Sequence, residues 1–256
     1  MKRVLHAHHC LSLVATLAAL VLWPTSALAY RPFNSTDAAV AGQGEVEIEL
    51  GPVGYLKEGS DSSLVIPSVV FNWGFADRLE LVLEGRSFAR LGHVPPTEAR
   101  LQVAENALSL KAVLREGTLQ DKTGLSIATE VGLLLPTING EAGVGAQGTL
   151  ILSQRWPDLT LHLNGTIAWT RTHALGLSGG VIFELHDAWV VRPVAELLVE
   201  GEADAPTLYS GLLGAIWRVS DNLSVDSGFR LAREGEVKSF EIRAGLTWSF
   251  DLRGPR

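Results

Sequence analysis

Charged residues recur at every second position in several segments of this chain. Glu45, Glu47 and Glu49 alternate with apolar residues, and Glu241 and Arg243 do the same near the end of the sequence. Side chains two positions apart lie on the same face of a β-strand. Charges that share one face of a sheet can line a water-filled passage or form a network of structural ion pairs.

Alternation assigns a larger set of polar residues to the same face. These residues are Glu45, Glu47, Glu49, Glu80, Glu84, Arg86, Lys111, Glu130, His162, Glu184, Arg192, Glu196, Arg218, Asp226, Arg230, Glu241 and Arg243. We expect three opposite-charge pairs on neighbouring strands, because an inward charge is tolerated only when it is paired or wet. The expected pairs are Lys111 with Glu130, Glu184 with Arg192, and Arg230 with Glu241.

An enzyme would need a nucleophile, a base and an orienting group. His162 is the histidine placed in mid-strand, with Asn164 on its face and Ser153 or Ser178 able to approach from an adjacent strand. Polar residues on one strand face produce such sets by chance, and the scattered histidines do not predict a metal site. The glycine-rich stretch 140–148 lacks the helix and lysine of a phosphate loop. We predict no catalytic residue, no metal and no cofactor.

The elements that carry these residues read as strands. Helical periodicity is nearly absent, while period-two segments recur about every twenty residues between turn residues. Their predicted bounds are 44–56, 63–74, 78–89, 107–115, 124–135, 144–155, 159–171, 174–185, 189–200, 207–219, 223–233 and 238–250. The last of these ends in Trp248 and Phe250 on its apolar face. The pattern predicts an all-β chain of twelve antiparallel strands.

The connections between these strands alternate in length. Short Asp, Asn, Gly or Pro turns such as 157–158 and 221–222 alternate with longer segments such as 90–106. Short periplasmic turns and longer outer loops are typical of bacterial outer-membrane barrels, which are apolar outside and polar inside. Two connections fit poorly, since 116–123 should be a short turn and 172–173 should be a longer loop.

Aromatic residues favour a membrane barrel over a soluble β-sandwich. Aromatic residues lie near one end of the predicted strands, where they would sit at the membrane interface. These are Trp73, Trp156, Trp189, Trp217, Trp248 and Phe250. Pro67 and Pro193 argue against the barrel, because a proline within a strand cannot donate to the ladder. A secreted sandwich therefore stays open as an alternative.

The first residues of the chain predict export. Residues 1–29 have a basic start, a short apolar run and an Ala27–Leu28–Ala29 cleavage site, so they read as a signal peptide ahead of a barrel domain over 30–256. The single cysteine, Cys10, lies within this signal. Without Lys2 and Arg3 the chain carries 19 basic and 28 acidic residues, a net charge of −9, which argues against nucleic acid as a partner.

Several short motifs resemble one transporter family. Arg31-Pro32-Phe33, the stretch 134–137, the turn 221–224 and the ending 245–250 are similar to the outer-membrane transporter family labelled "MetA-pathway of phenol degradation". The resemblance implies an outer-membrane barrel with a passive transport role and no catalytic residue. Here six residues follow Phe250, whereas such barrels commonly end on the aromatic residue.

These observations predict an outer-membrane β-barrel that contacts lipid and lets an unidentified small solute diffuse through it. Twelve strands lie between barrels filled by side chains and barrels that leave a channel, so a structural barrel with a plugged lumen stays open. The acidic balance predicts a mild preference for cations or neutral solutes. The Glu45–Glu49 run is either a stripe that disfavours anions or an exposed edge at the periplasmic mouth.

Overall fold

The computed structural model describes residues 31–186 and 188–252, and they form a closed antiparallel barrel of twelve strands. The strands are β1 (Glu45–Glu58), β2 (Asp61–Ala76), β3 (Leu79–Arg90), β4 (Leu101–Arg115), β5 (Ser126–Leu134), β6 (Gly145–Arg155), β7 (Leu159–Trp169), β8 (Leu175–Leu185), β9 (Val191–Glu202), β10 (Leu208–Ser220), β11 (Leu223–Glu234) and β12 (Val237–Asp251). A 3₁₀ turn, η1 (Thr118–Gln120), lies between β4 and β5. Each strand pairs with its sequence neighbours, and β1 pairs with β12 to close the ring.

The prediction of twelve antiparallel strands is confirmed, and closure excludes a two-sheet sandwich. The largest difference is at β4, which begins at residue 101, six residues earlier than predicted, so the long connection shrinks to 91–100. The early part of β4 was hidden because Glu105 has a positive φ of 56° and the pairing with β3 shifts register there. That bulge breaks the alternation on which the prediction depended. The predicted signal peptide lies outside the described residues.

Both prolines are accommodated within strands. The register of β2 skips Ile66 and Pro67 in its pairing with β1 and with β3, so no ladder bond is required of this proline. Pro193 pairs with Ala215 on β10 but lies beyond the last pair of β9 with β8, where the ladder has ended. Each proline therefore occupies a place where a missing N–H removes no ladder hydrogen bond.

The outer face of the barrel is apolar. Leu163 and Ile167 on β7, and Leu197 and Leu213 on β9 and β10, are between 40% and 69% exposed. A barrel satisfies its backbone hydrogen bonds within the closed ring, so such a face can meet lipid. Among the described residues there is no helix with the length and hydrophobicity needed to cross a bilayer.

The inner face is less uniformly polar than alternation predicted. Ile151, Ile182, Val194, Leu212 and Ile216 are buried inside the barrel, on the strands from β6 to β10. Period two separates the two faces of a strand but does not show what the inner face packs against. Three of them, Ile151, Val194 and Ile216, pack against Ala38 or Phe33 of a chain segment that the sequence analysis did not place.

Residues 31–44, here called the inner strap, run inside the barrel before β1 begins. The strap contacts Gly74 on β2, then β6, β7, β9 and β12, and returns to β2 at Ser68. It therefore makes one turn around the inner wall. Ser68 and Gly74 are six residues apart, so the strap rises by about 20 Å along this strand. We call the end of the barrel that carries Glu45 and Asp251 the lower end, and the opposite end the upper end.

Candidate functional site

Side chains of the barrel wall satisfy the backbone of the strap. Glu196 accepts hydrogen bonds from the amides of Asn34 (3.0 Å) and Ser35 (2.7 Å). Asn164 accepts from the amide of Thr36 and donates to its carbonyl oxygen, at 3.1 and 2.7 Å. Buried backbone groups need partners, and the extended strap has no ladder of its own to supply them. The barrel wall therefore provides hydrogen-bond acceptors for the backbone amides of the strap. A barrel without a strap would not need them.

Both ends of the strap are also bonded to the wall. The amide of Ala41 donates to Glu80 at 2.5 Å. At the other end, Arg243 donates to the carbonyl of Pro32 at 2.7 Å, and Arg31 donates to Ser68 at 2.7 Å. Arg31 also lies 3.5 Å from a carboxylate oxygen of Asp226.

Inward glycines give the strap the room it occupies. A Cβ on Gly74 would lie 2.2 Å from the carbonyl oxygens of residues 41 and 42. A Cβ on Gly180 would meet the side chain of Ser35 at 2.1 Å, and one on Gly228 would lie 3.1 Å from the ring of Pro32. Any side chain at Gly74 would displace strap backbone. The wall thus carries glycine where the strap passes closest to it.

The connection between β4 and β5 closes part of the lower end. Leu119 packs against a buried cluster of Ala38, Ala128 and Ile151. Gln120 donates from its side chain to the carbonyl oxygen of Ala38 at 2.8 Å. This explains why the connection is longer than a periplasmic turn should be: it folds inward and holds the strap.

A serine, a histidine and a glutamate meet in the lower half of the lumen. Ser153 Oγ lies 2.8 Å from His162 Nδ1, and His162 Nε2 lies 3.4 Å from Glu184. Glu184 in turn lies 3.0 Å from the guanidinium of Arg192. Ser153 is fully buried and accepts the amide of Ala38 at 3.0 Å, so the strap covers the hydroxyl. Because no substrate atom can reach this hydroxyl, the arrangement orients an acceptor for the strap.

A second ionic network lies above the strap. Arg243 contacts Glu241 on β12 at 2.7 Å, and Glu241 also forms an ion pair with Arg86 on β3, across β1 and β2. Arg86 reaches Glu105 at 3.1 Å. Arg230 has a looser pair with Glu200, at 3.8 Å. Nearly balanced charges therefore surround the upper half of the lumen.

A cavity of about 640 Å³ remains beside the strap. It reaches Glu45, the first residue of β1 at the lower end, and Leu208, the first residue of β10 at the upper end. One cavity therefore reaches residues at both ends of the barrel.

The residues assigned to the inner face from sequence fall into three groups. Those that line the cavity are Glu45, Glu47, Glu49, Glu80, Glu84, Arg86, Lys111, Glu130, Arg230, Glu241 and Arg243. Those that lie inside the barrel but away from this cavity, most of them under or against the strap, are His162, Glu184, Arg192, Glu196 and Asp226. Arg218 is exposed near the lower end of β10.

The expected charge pairs meet in different ways. Glu184 and Arg192 form the ion pair described above. The ladder sets Lys111 opposite Glu130, and Lys111 pairs with Asp37 of the strap at 3.3 Å. Arg230 stands opposite Glu241 in the register, but each has an ion pair elsewhere. Lys111 shows the reason: a partner 74 residues away in the strap is invisible to strand alternation.

The aromatic residues placed at one end of the strands do lie there. Trp73, Trp156, Trp189 and Trp217 are 38–51% exposed near the lower end. Trp248 and Phe250 lie on the last strand with ring centroids 4.9 Å apart. Within the described residues, no group of three or more His, Cys, Asp or Glu side chains is arranged to hold a metal ion.

The barrel is similar to solved outer-membrane channels. The COG4313 outer membrane channel from Pseudomonas putida F1 matches with a TM-score of 0.63 and 11% identity, over 85% of this chain and 100% of that one. The chain has the fold of an outer-membrane channel. A KdgM porin, solved in complex with disordered oligogalacturonate, matches with a TM-score of 0.50 and 14% identity, over 80% of this chain and 99% of that one. No family model matches the sequence, and no curated protein does.

Proposed function

We propose that this protein is an outer-membrane channel through which small solutes diffuse passively, driven by their own gradient. The observation that carries the proposal is the cavity beside the strap, which reaches residues at both ends of the barrel and is lined by charged side chains. An apolar outer face and a polar passage are the two requirements of a water-filled barrel pore. The lower end, with the short turns, would face the periplasm.

The family resemblance noted in the sequence belongs to this proposal. The similarity in fold to a channel from Pseudomonas putida F1 supports an outer-membrane transporter. The narrower label "MetA-pathway of phenol degradation" stays a prediction about family membership. It does not identify a solute for this chain, and neither does the sugar polymer in the KdgM structure.

Liposome swelling tests the proposal with solutes of graded size. The strap and its wall contacts occupy much of the lumen, so we expect swelling with solutes the size of glycerol and little with disaccharides. Liposomes that contain the heat-unfolded protein are the control. If the folded barrel admitted none of the solutes, diffusion through it would be refuted.

A structural barrel with a plugged lumen is the second candidate, and the strap is the observation that favours it. The strap packs against wall glycines and forms hydrogen bonds with Glu196, Ser153 and Arg243, as expected for a segment that stays in the lumen permanently. In that case neither swelling nor a conductance step would appear with the intact protein. Both would appear only after the strap is removed.

A further inference from the structure

The strap closes the lumen on one side only. From β6 to β11 the lower inner wall is buried beneath or beside it: Ser153, His162, Ile182 and Asp226 are at most 3% exposed, and none of them lines the cavity. Phe33 packs against Val194 and Ile216 on the same side. Any solute that passes the strap must therefore pass along the remaining wall.

The remaining wall belongs to β1, β2, β3 and β4. At the level of the strap the cavity is lined there by Glu45, Glu47, Glu49, Asn72, Glu80 and Lys111, and on the strap side by Asp37 and Arg31, of which Arg31 is engaged with Ser68 and Asp226. We call this part of the cavity the side lane. Its single wall cation, Lys111, is engaged with Asp37 at 3.3 Å. The carboxylates of the lane therefore outnumber its basic groups.

Glu47 distinguishes the side lane from an ordinary network of ion pairs. Its side chain lines the cavity and is only 8% exposed, yet no residue of the described ranges forms a hydrogen bond or an ion pair with it. Glu49, two positions on, receives a hydrogen bond from the neutral amide of Asn72 at 3.1 Å. A carboxylate held away from bulk water is costly unless a positive group compensates it. Along this lane, the positive group that the wall lacks can be supplied by the solute.

We propose that the strap confines transport to the side lane, where Glu47 and Glu49 select small cations, including organic ones with a single ammonium group. This inference rests on the proposed channel function and adds a solute class to it. Selection by these residues does not require a fixed binding site, because a narrow acidic passage raises the local concentration of cations and lowers that of anions.

The reversal potential in a planar bilayer with a KCl gradient tests the lane. The intact protein should pass K⁺ in preference to Cl⁻. The isosteric double variant E47Q/E49Q should still conduct but lose up to about 16-fold in K⁺/Cl⁻ preference for each charge removed. A unit charge about 5 Å away in water raises the local K⁺ concentration by about fourfold and lowers that of Cl⁻ by about fourfold. Methylammonium chloride should give the same ranking of the proteins as KCl does.

A matched control separates the lane from general surface charge. Glu58 lies on the same strand as Glu47 and Glu49 but is exposed at the upper end. The substitution E58Q should leave the reversal potential unchanged, and an equal effect of E58Q would overturn the lane. Anion preference in the intact protein would overturn it too, without any variant having to fold.

The two proposals fail differently. Conductance with unchanged selectivity in E47Q/E49Q would refute the lane and leave the channel standing. If the intact protein, shown to be folded by a mobility shift on boiling before electrophoresis, had no conductance, the channel itself would be refuted, and the lane with it.

Discussion

Glu196 is the wall residue whose removal should loosen the strap most clearly. Its carboxylate is 2% exposed and accepts the amides of both Asn34 and Ser35. The substitution E196A leaves these two buried donors without an acceptor. Each unsatisfied donor costs about 1–3 kcal/mol, and we take about 1–1.5 kcal/mol for each because water can enter the space vacated by the side chain. The docked state should therefore lose about 2–3 kcal/mol, a rise of about 30- to 150-fold in the population of undocked strap.

Cysteine labelling measures that population. The sequence has one cysteine, Cys10, which lies in the predicted signal peptide, so a cysteine introduced at Ala39 would be the only thiol of the processed chain. Ala39 is 7% exposed on the docked strap and borders the cavity, so a small methanethiosulfonate should label it slowly while the strap is docked and faster when the strap opens. We expect the labelling rate of A39C/E196A to exceed that of A39C by up to the factor given above.

Two further variants make this prediction refutable. E200A removes another inward carboxylate of β9, four residues beyond Glu196. Glu200 pairs with Arg230 and not with the strap, so labelling of A39C/E200A should stay at the A39C rate. E196Q keeps a carbonyl acceptor and should raise the rate by less than E196A does. Equal labelling in A39C and A39C/E196A would show that the wall does not hold the strap through Glu196.

Three further predictions concern the seat of the strap and its bonds. G74V should raise labelling of A39C, because its side chain would meet strap carbonyl oxygens 2.2 Å from the Cβ, whereas G148V should not, since that Cβ has nothing within 4 Å. S153A removes the acceptor of the Ala38 amide and should cost about 1–3 kcal/mol, measured as a labelling rate at least several-fold higher. R243M should lower the urea midpoint of the barrel in detergent more than R233M does, because Arg243 is buried on Glu241 whereas Arg233 is exposed; equal shifts would contradict the role given to that pair.

The strands could be predicted from sequence because one face of a barrel strand contacts lipid and the other the polar lumen. Apolar and polar residues therefore alternate along each strand, and in β7 the prediction differs from the structure by two residues at most. It failed in the first half of β4, where the bulge at Glu105 shifts the phase, and at the apolar inner residues such as Ile151 and Ile182. Ile151 packs against Ala38 of the strap, and Ile182 is fully buried, so neither side chain faces water.

The strap could not be predicted because nothing local specifies it. Residues 31–44 have no periodicity, and their partners lie up to 211 residues away, as with Pro32 and Arg243. Two signals were present in the sequence. One was the unexpectedly long connection at 116–123. The other was glycine at inward positions such as Gly180 and Gly228, where a hollow barrel would have no need for it.

Single-channel recording of the intact, folded protein in a planar bilayer shows whether solutes cross the barrel through the passage that the strap leaves open. We expect discrete, small conductance steps in the intact protein, and larger steps when residues 31–41 are deleted. Steps of equal size in both proteins would show that the strap does not bound the passage. A silent bilayer with the intact protein would contradict passage through the barrel outright.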